Sequence, residues 1–292
     1  MNINDLSNTF FHGNCFQIMD LIPDQSIDFI CTDPPYNKTE CSWDNSIDIA
    51  SLWQSFNRII KSNGCIAIFG IDLFSAKIMI ENASNYRYKW IWNKQFSANF
   101  ASCQSMPLRN YEEILIFYKT LPTYNIIMKE RSSDRVQQHQ ASHYTYINKQ
   151  YQSESALAIR KNSKDFLIDF GKYNPKEKYP ELIIEGIPQL RPNATEKVNH
   201  PTQKPIKLFE YLINIYTNPH DIVFDPFLGS GTTLFASINT HRKYCGIELD
   251  DRYIQMIQDR IRSEFHNSIH IKKKKIDYGL QYNIVKPLDA FI

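Results

Sequence analysis

Residues 26–37 read Ser26-Ile27-Asp28-Phe29-Ile30-Cys31-Thr32-Asp33-Pro34-Pro35-Tyr36-Asn37. The run from Ile27 to Cys31 is β-branched and aromatic, which fits a buried strand, and it ends in a loop locked by proline. Two consecutive prolines remove two backbone N–H donors and fix φ near about −65°, so the loop is stiff and rich in free carbonyls. An acid precedes the pair and a flat aromatic ring follows it. That set suits a planar amino group held by two acceptors while its ring stacks.

Outward from this loop, strand and helix patterns alternate. Asn8–His12 predicts a strand ended by Gly13-Asn14, and Cys15–Ile22 a helix closed by Pro23. Ile49–Lys61 carries Leu52, Trp53, Phe56, Ile59 and Ile60 at helical spacing, with Asn63-Gly64 as its cap and Cys65–Gly70 as the next strand. Asp72–Ser84 reads as helix, and Tyr86–Trp92 and Glu113–Lys119 as strands. Between 122 and 197 the rhythm breaks into a polar stretch rich in Gln, Ser, Tyr, Lys and Arg. It still carries Tyr144, Tyr146, Tyr151, Phe166, Phe170, Tyr173 and Tyr179, so it reads as an inserted module, not a disordered spacer. Alternation then resumes with helix 206–217, strand 221–225, helix 230–239, strand 242–248 and helix 251–265. The pattern predicts an α/β fold with a mostly parallel sheet covered on both faces. Residues 266–292, with Lys272–Lys275, are left as a C-terminal tail.

Composition narrows the class. Of 292 residues, 42% are hydrophobic and 22% charged, which fits an ordinary globular chain. A net charge of +2 means that any surface for nucleic acid must be local. No apolar run reaches the roughly 18 residues that span a bilayer, and the N-terminus lacks a basic-then-apolar signal, so a cytoplasmic protein with no membrane partner is expected. The six cysteines are scattered without a C-x-x-C pair, which favours reduced thiols over a metal site.

A second motif lies at Ile222-Val223-Phe224-Asp225-Pro226-Phe227-Leu228-Gly229-Ser230-Gly231-Thr232-Thr233. A strand runs into a loop whose two glycines let a ligand approach the backbone, and a helix opens behind it. Glu248 falls at the end of the following strand. Upstream, Asn199-His200-Pro201-Thr202-Gln203-Lys204-Pro205 reads as a turn and a helix start, with Pro205 at the first helical position.

Asp33-Pro34-Pro35-Tyr36 resembles the catalytic motif of the amino methyltransferases that methylate adenine N6 or cytosine N4. Residues 225–233 resemble their Asp-Pro-Phe-x-Gly-Ser-Gly-Thr-Thr motif, and 200–205 their His-Pro-Thr-x-Lys-Pro segment. The acidic loop precedes the glycine loop, which is the order of the beta group, a circular permutation of the methyltransferase fold. The resemblance covers roughly 8–121 and 198–265. It implies a Rossmann-like, seven-stranded sheet of order 3-2-1-4-5-7-6 with one antiparallel strand. It also implies a catalytic domain of 1–121 and 198–265, and a target recognition domain at 122–197. There Lys129, Arg131, Arg135, Arg160, Lys161 and Lys164 would meet phosphate, and Gln137, Gln138 and Gln140 would read base edges.

The cofactor implied is S-adenosyl-L-methionine, held by Asn14, Asp33, Lys204, Phe224, Asp225, Pro226, Phe227, Gly229, Gly231, Thr232 and Glu248. Lys204 would neutralise its carboxylate or hold the closing loop. Glu248 would accept from its ribose, and Asn14, where relatives carry Asp, from its adenine amino group. Catalysis would fall to Asp33, Pro34, Pro35 and Tyr36, with 37–46 and Trp43 as a flap over a flipped base. Double-stranded DNA is the implied substrate, a homodimer and a separately encoded cognate restriction endonuclease the further partners. Asp before Pro-Pro-Tyr leans toward adenine. Cytosine N4 and a non-catalytic DNA-binding subunit are the alternatives. Cytosine C5 methylation needs a cysteine nucleophile, typically in a Pro-Cys context, and no Pro-Cys pair occurs.

Overall fold

The computed structural model describes residues 6–36, 47–98, 103–131, 174, 176–264 and 270–285. It falls into two compact units, Met1–Asn125 with Leu182–Ile292, and Ile126–Glu181.

The first unit is built on strands β1 (Thr9–Gly13), β2 (Ile27–Thr32), β3 (Ile60–Gly70), β4 (Tyr86–Ala98) and β5 (Arg109–Phe117), joined later by β8 (Ile183–Ile184), β9 (Ile222–Asp225), β10 (Lys243–Glu248), β11 (His270–Ile276) and β12 (Gly279–Val285). Their order is β11-β12-β1-β10-β9-β2-β3-β5-β4-β8. Within it, β1-β10-β9-β2-β3-β5-β4 reproduces the order 3-2-1-4-5-7-6. β5 is the strand that runs against both its neighbours.

The sheet has ten strands where seven were expected, because β8 joins β4 in parallel and the β11–β12 hairpin closes onto β1. Residues 270–285, left within the C-terminal tail, therefore extend the sheet. Thr9, Phe10 and Phe11 on β1 are fully buried, so β1 makes a poor edge and gains from a neighbour on either side.

Helices cover both faces. α1 (Cys15–Met19), α2 (Ile49–Ile59) and α3 (Asp72–Glu81) lie over one core, where Phe11, Ile18, Phe56, Ile68 and Phe224 meet. α5 (Thr232–Asn239) and α6 (Asp251–Glu264) lie over another, with Phe10, Leu234, Phe235, Ile257 and Tyr282. α4 (Ile206–Tyr216) sets Phe209 against Phe69 of β3, ring centroids 5.1 Å apart.

Element ends moved by a few residues where backbone demands outweighed pattern. Asn63-Gly64 sits inside β3, because α2 stops at Ile59 and the strand begins at once. Gly64 is needed there: a Cβ would lie 2.9 Å from the Asp28 carbonyl, beside the register shift between Ile27 and Phe29. Pro205 stands just outside α4 as its N-cap, one residue before the first turn.

In the second unit, β6 (Lys129–Glu130) pairs antiparallel with β7 (Glu177–Lys178), and Arg131 Nε donates to the Glu177 carbonyl at 2.9 Å. The expected phosphate and base contacts from Arg135 to Lys164 lie outside the described residues, as do the aromatics from Tyr144 to Tyr173 and the flap with Trp43.

Candidate active site

The two motifs meet at the carboxyl ends of β2 and β9, which lie side by side in the sheet. Asp225 ties them together. Its Oδ1 accepts from the Thr32 hydroxyl at 2.7 Å and from the Phe227 N–H at 3.0 Å, and its Oδ2 from the Thr233 hydroxyl at 2.5 Å. Burial pushes this carboxyl up to about 6, against the pull of the three donors. Asp225 thus fastens the site from below. Phe224 is wholly buried in the core and Pro226 is buried beside it, while Phe227 is half-buried against the first core.

Asp33 follows directly on β2. One carboxylate oxygen accepts from the Tyr36 hydroxyl and the other from the Lys204 ammonium. Lys204 also pairs with Glu112 at 3.1 Å, and Glu112 with Lys94 at 2.8 Å. Four charges of alternating sign thus run Lys94–Glu112–Lys204–Asp33, with side chains only 7%, 13%, 8% and 19% exposed. Desolvation raises the Asp33 pKa, opposed by Lys204 and reinforced by Glu112. Desolvation also pushes up the Glu112 carboxyl, but Lys204 and Lys94 outweigh it and hold that group below the usual range. Lys204 is desolvated too, yet its two acids hold its pKa well above normal, so it stays charged. Its ammonium also lies 5.4 Å from the centroid of the Phe69 ring. Tyr36 packs on Phe74 at 4.9 Å with a tilt of 46°, which supports one side of its ring.

The segment carrying Lys204 is stiff by its own bonds. The Gln203 side chain accepts from Val198 N–H at 2.8 Å and donates to the Glu196 carbonyl at 2.7 Å. His200 packs on Tyr253 at 4.6 Å, and burial, with Lys197 and Lys204 nearby, pushes its imidazole down to about 4.

Beside this charged row lies a cradle of backbone. Gly229 and Gly231 have φ of +53° and +83°, and a Cβ on Gly229 would come within 3.1 Å of His200 Nε2. Gly231 is the N-cap of α5, and no side chain caps that helix start. Its first-turn amides have no intrahelical acceptors and favour an anion. Glu248 Oε2 accepts from Gly229 N–H at 2.7 Å, while Oε1 accepts from Leu249 and Asp250 N–H, both at 2.8 Å. Burial lifts this carboxyl to about 7 despite those bonds. A side-chain-free surface, an anion-favouring helix start and a buried carboxylate at the next strand end are the donor and acceptor set that an amino-acid-tailed nucleoside requires. The residues fit such a group.

Most of the residues picked from sequence gather here. Lys204 reaches Asp33 directly. Asn14 Oδ1 caps α1, accepting from Phe16 N–H at 3.0 Å and Gln17 N–H at 3.4 Å. Thr232 is buried, its hydroxyl 3.4 Å from the Lys204 carbonyl.

Three residues escaped the sequence reading. Lys94 and Glu112 lie on β4 and β5, where pairing of Trp92 with Glu112 brings them together, and charges inside apolar strands were the available signal. Arg260 on α6 is buried and donates to the Ser230 carbonyl at 2.5 Å, bracing the glycine loop. Among the described residues no cluster of His, Cys, Asp or Glu could hold a metal ion, and no helix is long and apolar enough to cross a membrane.

The family described as DNA methylase, which groups N6-adenine and N4-cytosine enzymes, matches residues 27–259. A DNA adenine methyltransferase of Escherichia coli (strain K12), YhdJ, is 29% identical over 91% of this chain and 88% of its own. The Type II methyltransferase M.HpaI of Haemophilus parainfluenzae is 26% identical over 94% and 81%. Among solved structures, M1.HpyAVI in complex with SAM superposes with a TM-score of 0.52 at 24% identity, covering 86% of this chain and 98% of that one. The cytosine-N4-specific PvuII DNA methyltransferase reaches 0.57 at 16%, covering 86% and 85%. These two likenesses speak for the fold. The family match spans both motifs and the strands between them, and the chain belongs to this family of amino-directed DNA methyltransferases.

Proposed function

We propose that the chain methylates adenine N6 in double-stranded DNA with S-adenosyl-L-methionine as cofactor, as the modification enzyme of a restriction–modification system. The observation that carries this is Asp33, set at the end of β2 with one oxygen on Tyr36 and the other on a buried lysine, beside a proline carbonyl and the glycine cradle. Aspartate before Pro-Pro-Tyr and the adenine specificity named for YhdJ support adenine over cytosine.

The exocyclic nitrogen of adenine is a weak nucleophile because its lone pair is delocalised into the ring. The Asp33 carboxylate and the Pro34 carbonyl accept its two hydrogens, which draws the nitrogen toward sp³ geometry and stabilises the positive charge growing on it. Pro35 keeps that carbonyl fixed. Lys204 holds the Asp33 carboxylate in place, and Asp33 serves as an acceptor, with proton loss following transfer. Inside a duplex the amine is out of reach, so the base flips out at a cost of a few kcal/mol. Stacking on the Tyr36 ring returns about 1–3 kcal/mol. Gly229, Gly231 and Thr232 seat the cofactor tail at the start of α5, and Glu248 accepts from its ribose. The bound cofactor supplies an electrophilic methyl group on a sulfonium.

Transfer of tritiated methyl groups to mixed-sequence DNA, followed by digestion to nucleosides, tests the reading. Label in N6-methyl-2′-deoxyadenosine is expected. Label in N4-methylcytosine would move the specificity to the other base, and label on neither would remove the activity.

A further inference from the structure

β11 is the outermost strand of the sheet, and four consecutive residues on it, Lys272, Lys273, Lys274 and Lys275, are all exposed. None of the four pairs with an acid among the described residues. Lys273 lies 5.7 Å from the centroid of Tyr282, which stacks on Phe10, so this lysine rests on a packed surface. Asp277 is the single acid between residues 270 and 285, while the whole chain nets only +2. A concentrated, uncompensated cationic edge stands out on a nearly neutral protein.

Its placement is informative. Lys275 pairs with Leu280, Leu280 with His12, and His12 with Glu248, so Lys275 stands on the same row of the sheet as the glycine-loop acid. β11 runs parallel to β1, and its lysines climb toward the carboxyl ends of the strands, where Asp33 lies. Five strand spacings separate β11 from β2. At about 4.8 Å each, the distance across the sheet is about 24 Å. A duplex rising about 3.4 Å per base pair covers that in about seven pairs.

We propose that this lysine edge holds the phosphate backbone of the DNA flank, about seven base pairs from the flipped base. The proposal rests on DNA being the substrate. Lysines also keep edge strands from pairing with other sheets, but that duty is served by charge of either sign. Phosphate binding needs positive charge, and the two roles separate on that point.

The test compares the wild-type chain with two quadruple variants at 272–275, Lys→Arg and Lys→Glu. Substrates are duplexes carrying the unmethylated target site with flanks of about 4 or about 12 base pairs, at about 100 mM salt. Lengthening the flanks should lower KM about fivefold or more for wild type and the Arg variant. The Glu variant should gain nothing, at an unchanged kcat and with unchanged cofactor binding by calorimetry. An equal KM gain in the Glu variant, or none in wild type, overturns the lysine edge while leaving the methylation reading intact. A wild-type chain that methylates no duplex of either length brings down the reading itself.

Discussion

Thr32 and Asp225 lie 193 residues apart in the chain and are hydrogen bonded at 2.7 Å. The bond joins the last residue of β2 to the last residue of β9, so it fixes the acidic loop against the glycine loop. Asp225→Ala strips the acceptor from two buried hydroxyls and a backbone N–H, and should cost about 2–4 kcal/mol. Asp225→Asn keeps one oxygen and lets the Thr233 hydroxyl reverse its role, so the loss should be about half as large. Urea denaturation of both variants orders them, and a cycle with Thr32→Val should return a coupling of about 1 kcal/mol.

Asp33→Ala should abolish methyl transfer and leave cofactor binding largely intact. Near-normal turnover in that variant would end the two-acceptor account. Lys204→Met leaves Asp33 and Glu112 as buried like charges and should destabilise the fold by about 3–5 kcal/mol.

Glu112→Gln is the sharper probe of the charged row. Glu112 raises the Asp33 pKa, so its neutralisation should move the acid limb of the kcat/KM profile to lower pH. A limb that stays in place would disconnect Glu112 from Asp33.

Glu248→Ala should chiefly weaken cofactor affinity. Because burial lifts this carboxyl to about 7, the wild-type affinity should tighten as pH rises from 6 to 8 and the carboxylate forms. Calorimetry across that range should find the trend in wild type and a flat profile in the variant.

His200 adds a pH dependence of stability. Its imidazole is held down to about 4 in the folded chain against 6.5 in the unfolded one. The unfolded state therefore binds the extra proton first, and stability is full above pH 6.5 and falls as pH drops toward 4. The loss is at most about 3 kcal/mol. His200→Asn should flatten this part of the curve when denaturation midpoints are compared at pH 7 and pH 5.

Strands, helices and both loops were legible because each is local: β2 ends at a double proline, and Gly231 opens α5 at a φ that favours glycine. The pairing of Lys94 with Glu112 was not, since it depends on antiparallel register between β4 and β5, which no local pattern encodes. The hairpin was missed for a related reason. Lysines fill four of the seven positions of β11, which hides the alternation that marks a strand. The cap at Asn14 was also not read from the sequence: its side-chain oxygen accepts from Phe16 and Gln17 N–H at the start of α1.

The permuted order of the two loops also bears on how the chain is made. β2 leaves the ribosome about 190 residues before β9, its neighbour in the finished sheet. At about 5–20 residues per second, that strand waits about 10–40 s with one flank bare. Synthesis stalled short of residue 225 would leave a sticky, half-built sheet, so nascent chains of this protein should be clients of holdase chaperones until the second half arrives.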